Sequence, residues 1–210
     1  MHLNFTSDVY IKEGKKKQFL ILAFLFTFCI SAAQNVPNYN PHIMTTAQLQ
    51  AYRQSIWDTL PAAVGWVNDF EGLFDGDQEN TIEKTLSHFE KKTSIEISII
   101  TVDSNMINKN SFDEFSYRVM KLWGIGKISK SNGMVICISK DYKRLCVTTD
   151  FGIDKYMNAA EKDKIINKYF LPFYRKNDYY QGTVSGLNAI LEKIGKRWDK
   201  ENGGKTFLTL

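Results

Sequence analysis

The sequence predicts an α/β protein: a three-layer α/β/α sandwich on a small mixed β-sheet. Three observations predict it. Four stretches carry apolar residues at helical spacing, each opened by a small polar residue with Glu or Gln three positions on. Three short runs between them place apolar residues on both faces, as in a sheet covered on both sides. The order helix, strand, helix, strand, strand, helix, helix then requires a parallel pair with a right-handed crossover, followed by an antiparallel hairpin.

Along the chain, Lys12, Lys15, Lys16 and Lys17 precede an apolar run of about a dozen residues, Phe19 to Ile30, and Ser31-Ala32-Ala33 follow it. Residues 1–33 thus have the three-part pattern of a secretory signal peptide, cut before Gln34. The alternative is an uncleaved anchor, although the run falls short of the roughly 20 residues a bilayer span needs. Residues 34–64 read as a lead-in, polar around Pro37 and Pro41, with a short helix from Thr46 to Trp57 that puts Leu49, Tyr52 and Ile56 on one face.

The domain is expected over residues 65–198. Its first helix opens at Asp75 with Gln78 and carries Ile82, Leu86 and Phe89. The strand Ile95 to Val102 follows. A second helix opens at Ser111 with Glu114, carries Phe115 and Val119, and stops at Gly124. Met134 to Ser139 and Leu145 to Thr149 form a hairpin. The third helix opens at Asn158 with Glu161 and stops at Pro172; the fourth opens at Asp178 with Gln181 and runs to Trp198. These apolar stripes read as core faces. The arrangement is Rossmann-like, and residues 199–210 are a polar tail.

Charge and cysteine content narrow the classes. The net charge of +4 falls to +2 without residues 1–33, which take four lysines, Asp8 and Glu13 with them. That balance makes no case for nucleic acid. No second apolar run of spanning length follows, so no stable membrane span is expected after cleavage. Cys137 and Cys146 flank the hairpin turn and face one another if the loop has two residues, as a non-hydrogen-bonded pair. Either they form a disulfide, which an oxidising compartment allows, or they are two thiols on a sheet face.

Several chemistries are excluded by inventory. His42 lies in the lead-in and His88 on a helix, so no histidine occupies a strand-end loop where the general base of a hydrolase triad belongs. Gly124-Ile125-Gly126 follows a helix rather than a strand and lacks a third glycine, so no nucleotide cofactor is expected. What remains is oxygen chemistry at strand ends. The hairpin places Asn132, before its first strand, beside Asp150, after its second. Asp103 falls at the other edge, nearer the Asp141 turn.

An ordered set of short motifs sharpens the reading. Val67-Asn68-Asp69-Phe70, Trp123-Gly124-Ile125-Gly126, Asn132-Gly133, Gly152, Pro172-Phe173 and Asp178-Tyr179-Tyr180-Gln181-Gly182 together resemble the TPM domain family of thylakoid-lumen acid-phosphatase-like proteins and bacterial envelope relatives. The chain departs from that pattern where Ser131 replaces an aspartate, where Asp150 and Phe151 replace glycine and tyrosine, and where Asn158-Ala159-Ala160 replaces Thr-Asp-Ala.

The resemblance implies the layered fold, an envelope location (periplasmic or extracellular), and either divalent-cation binding or acid phosphatase activity. Asp69, Asn132, Asp150 and Asp154 are the oxygen donors offered to calcium or magnesium, provided Asp69 folds onto the same rim. No catalytic residue is assigned. The expected function is that of an accessory or binding module, with an envelope protein or a small phosphorylated ligand as partner. The alternative is a metal-assisted phosphomonoesterase in which Arg118 or Arg144 orients the phosphate. Each donor also has a bland reading: Asp69 capping a turn, Asn132 taking the turn conformation before Gly133, Asp150 a solvated strand end.

Overall fold

The computed structural model describes residues 44–203. The expected signal peptide, the first part of the lead-in with His42, and residues 204–210 of the tail lie outside the described residues. One compact unit begins at Thr45; the other, Met1–Met44, lies outside them save for its last residue.

Four strands form one sheet in the order β1-β2-β3-β4. They are β1 (Val67–Asp69), β2 (Glu96–Thr101), β3 (Gly133–Ser139) and β4 (Arg144–Thr149). β1, β2 and β3 are parallel, and β4 returns antiparallel to β3. The helices are α1 (Thr46–Asp58), α2 (Gly76–Thr93), α3 (Phe112–Leu122), α4 (Ala159–Ile165), α5 (Leu171–Tyr174) and α6 (Tyr179–Glu201).

The period-2 alternation of the strands divides the core. Ile97, Ile99, Met134, Ile136 and Ile138 pack with α2, α4 and α6 on one face. Ile100, Val102, Val135 and Cys137 pack with α3 on the other. Each fully buried aliphatic side chain contributes about 1.5–3 kcal/mol of transfer free energy, so both helical layers are held mainly by burial. The three-layer α/β/α fold is as the sequence predicts.

The structure adds a strand that the sequence pattern hides. Val67–Asp69, assigned to no element from the sequence, pairs parallel with Ile99–Thr101. With three residues it is too short to show a period.

Four local features also differ. Residue 139 pairs with 144, so the hairpin loop has four residues, not two. The amide of Asp150 donates to the Gly133 carbonyl at 3.0 Å, which makes 133/150 a hydrogen-bonded pair. Four residues along each strand, 137/146 has the same parity. Cys137 and Cys146 are therefore opposite one another in the wider, hydrogen-bonded spacing of about 5.5 Å between Cα atoms, and both are free thiols.

Ser111 makes no cap, because it sits at φ −93°, ψ 4° in a 3₁₀ turn rather than in the extended conformation a capping side chain needs. The third predicted helix does not stop at Pro172. A π-helical turn, Ile166–Phe170, carries it into α5. That wider turn accommodates a proline, which lacks the N–H to continue α-helical bonding.

Helix α1 is docked rather than loose. Thr45 caps it in a capping box with Gln48. Arg118 Nε donates to the Trp57 carbonyl at 2.9 Å, Trp123 Nε1 donates to the Pro61 carbonyl at 2.9 Å, and Arg53 reaches the Ser104 carbonyl at 2.5 Å. The packed unit thus includes the helix of the lead-in.

Candidate functional site

Three parallel strands and one antiparallel strand create two rims. The carboxyl ends of β1, β2 and β3 form one; the amino ends of β2 and β3 form the other, joined there by the carboxyl end of β4. Ligands of parallel sheets bind at the first kind of rim.

At the carboxyl rim, Asp69 ends β1. Its carboxylate accepts from the Thr101 hydroxyl and from the Phe74 amide at 2.8 Å. Thr101 in turn accepts from the Glu71 amide at 2.9 Å. The Glu71 carboxylate accepts from the amides of Lys140 and Asp141 at 2.7 and 2.8 Å, strapping the β3–β4 turn to the end of β1. Asp141 accepts from the Ser104 hydroxyl at 2.6 Å and the Ser104 amide at 3.0 Å. Asp103 accepts from the amides of Asn105 and Met106, both at 2.9 Å.

The local electrostatics follow. Partial burial pushes the Glu71 carboxyl up, aided by the charges of Asp141 and Asp103, against the pull of its two amides. Burial and the neighbouring Asp69 and Asp75 also raise Glu79. The Ser104 hydroxyl and amide hold Asp141 below the ordinary carboxylate range.

The amino rim holds Asn132, Asp150 and Asp154. The Asn132 side chain, only 5% exposed, turns inward: it accepts from the Lys127 amide at 2.8 Å and donates to the Ser94 carbonyl. Asp150 lies one residue pair away through its backbone bond to Gly133, but its carboxylate pairs with Lys121 at 2.6 Å. Asp154 is exposed at the end of the 3₁₀ turn Phe151–Ile153.

The structure thus brings Asn132 and Asp150 to one rim as the hairpin geometry requires. It sets Asp69 at the opposite rim, because β1 runs parallel to β3. The four donors do not converge on one hard cation, which wants six to eight oxygens for calcium. Among the described residues no group of three or more His, Cys, Asp or Glu side chains is arranged to hold a metal ion.

The short motifs of the amino rim have a packing role. Gly126 has φ +92°, and a Cβ there would lie 2.4 Å from the Gly133 amide nitrogen. A Cβ on Gly152 would lie 2.3 Å from the Lys130 carbonyl oxygen. Three loops therefore interlock at glycines, with Asn132 stitched between them. Glu96, overlooked in the sequence, completes the knot by accepting from the Gly126 amide at 2.8 Å. The one charged residue of the run Ile95 to Val102 was the available signal. Glu71 and Asp141, also overlooked, carried none, because their roles depend on loops far apart in sequence.

Both candidate phosphate arginines are engaged. Arg118 holds Trp57 through its carbonyl and lies 5.3 Å above its ring. Arg144 pairs with Asp113 at 2.7 Å and donates to the Lys109 carbonyl at 2.9 Å. Tyr179 is buried, and Tyr180 packs edge-on against Phe74.

Comparisons with known proteins agree with this architecture. The N-terminal domain of a P. gingivalis protein superposes with a TM-score of 0.59 at 22% identity, over 64% of this chain and 84% of that one. The BA42 protein of the psychrophilic bacterium Bizionia argentinensis gives 0.53 at 19%, over 65% and 93%. At these identities the likeness is one of fold. No curated protein matches the chain. A family profile described as the TPM domain matches residues 67–193, from β1 into α6. The chain belongs to the TPM domain family.

Proposed function

We propose that this is an exported TPM-domain protein of the cell envelope that acts as an accessory or binding module rather than as a hydrolase. One observation carries the reading: the acids of the carboxyl rim are occupied in tying loops together, and Arg118 and Arg144 are occupied in packing. A phosphomonoesterase needs a metal-held water or nucleophile and a cation aimed at the phosphate, and the acids Asp69, Glu71 and Asp141 and the arginines Arg118 and Arg144 are already committed to other partners. Export is supported by the basic, apolar and small-residue pattern of residues 12–33. Among the described residues no helix is long and apolar enough to cross a membrane.

A divalent cation enters this reading only as a weak contact of Asp150 and Asp154, which bracket one short turn. Calcium or magnesium there competes with Lys121. The alternative, metal-assisted hydrolysis of phosphomonoesters, has one observation in its favour: Glu71 is an acid held above its ordinary range beside the carboxyl ends of the sheet.

The test is turnover of a generic phosphomonoester by the purified chain, with and without calcium or magnesium, beside Asp150→Ala. The proposal expects no turnover above background in any arm. Cation-dependent turnover that dies with Asp150→Ala would establish the hydrolase instead.

A further inference from the structure

A groove of about 490 Å³ separates α4 and its π-helical turn from α6. Its floor is apolar, made by Ile165, Tyr169 and Ala189, and its mouth is basic. Lys164 and Lys168 stand on one side, Lys193 and Lys196 on the other.

The carboxylates at the mouth are already committed. Glu161 takes Lys193 at 2.6 Å and both terminal nitrogens of Arg197 at 2.6 and 2.8 Å. Glu192 takes Lys196. Among the described residues, Lys164 and Lys168 have no carboxylate within 4.0 Å, and both are exposed. They sit four positions apart on one continuous helical segment, where like charges repel. The π turn places Lys168 beside Tyr169, its ammonium 5.1 Å from the ring centroid. Two ammonium groups without a carboxylate partner therefore flank an apolar floor.

We propose that this groove binds a phosphate-bearing anion with an apolar body. The phosphate would lie between Lys164 and Lys168, and the apolar part would cover Ile165, Tyr169 and Ala189. A compact anion suits ammonium groups, which act as point charges for phosphate. The floor adds about 25 cal/mol for each Å² of apolar area covered. The groove belongs to the helical layer rather than to either strand rim, so the proposal does not rest on the function proposed above. A lipid headgroup and a free phosphate ester share this chemistry.

The experiment titrates the ¹⁵N-labelled full chain with monomeric dihexanoyl phosphatidylglycerol, with its phosphatidylcholine counterpart, and with inorganic phosphate. The expected result is amide shifts confined to residues around Lys164, Lys168 and Lys193 with the anionic lipid, and little with the zwitterion. Lys164→Gln/Lys168→Gln should weaken binding by up to about 30-fold, at no more than roughly fivefold for each solvent-exposed ion pair lost. Lys140→Gln/Lys143→Gln, the same charge change at the hairpin turn, should leave it unchanged. Inorganic phosphate binding as tightly as the lipid would show that the apolar floor adds nothing and would overturn the proposal. No shifts with either anion, or equal weakening by both double variants, would overturn the proposal. Both lysines of the groove variant are solvent-exposed, and an unchanged spectrum elsewhere confirms that it folds.

Discussion

Asn132 illustrates how a polar residue at a strand end can be structural through and through. Its amide is used from both sides, accepting from Lys127 and donating to Ser94. An aspartate keeps the acceptor but cannot donate to the Ser94 carbonyl, and it brings a charge into a nearly closed site. Asn132→Asp should cost about 1–3 kcal/mol of stability, measurable by urea unfolding.

Glu161 is a surface counterpart. Arg197 and then Lys193 hold its carboxyl at about 2, far below its ordinary 4.5. A depressed carboxyl contributes stability that is complete above its unfolded value and disappears as pH falls through the folded one. The tie between α4 and α6 should therefore weaken between about pH 4.5 and pH 2. Glu161→Gln should flatten that part of a thermal-stability profile while leaving its alkaline limb in place.

At the scale of elements, the contact between α6 and the π-turned segment depends on glycines. Gly186 is buried, and an added Cβ would lie 2.0 Å from the Phe170 ring, itself fully buried. Alanine gains about 1 kcal/mol of helix propensity over glycine. Forcing a core aromatic aside costs about 1–3 kcal/mol. The clash should win, so Gly186→Ala should lower the melting temperature rather than raise it.

The sequence announced α2, α4 and α6 through caps that the structure retains at Asp75, Asn158 and Asp178. It announced β2, β3 and β4 through short runs with apolar residues on both faces. It did not announce β1, whose three residues are stabilised by pairing with β2 rather than by any pattern of their own. Missing that strand also left Asp69 unplaced, since only a parallel pairing with β2 puts its carboxyl end opposite Asn132. Ser111 shows the converse error. Its spacing to Glu114 fits a capping box, but the 3₁₀ turn before α3 fixes a backbone conformation in which the hydroxyl does not cap.

Across the whole molecule, the motifs that mark the family do two kinds of work. Those of the amino rim lock three loops together at Gly126, Gly133 and Gly152. The Val67-Asn68-Asp69 segment begins the carboxyl rim, where Asp69 accepts from Thr101 at the end of β2 and from nearby Phe74, while Glu71 and Asp141 accept from loops far away in sequence. A side chain's type was legible in the sequence at each of these positions; its partner was not, because every partner but one lies on another element. The central claim is that these carboxylates maintain the fold and do not serve as ligands to a cation.

Thermal unfolding of the chain and of Asp69→Asn, each with and without calcium, tests that claim most directly. The substitution removes an acceptor facing the Phe74 amide or the Thr101 hydroxyl, at a cost of about 1–3 kcal/mol, or roughly 2–4 °C of melting temperature for each kcal/mol in a domain of this size. The account predicts that lowering, with any calcium response identical in the two proteins. A calcium-induced rise in the unsubstituted chain that vanishes in Asp69→Asn would make Asp69 a cation ligand and contradict the account.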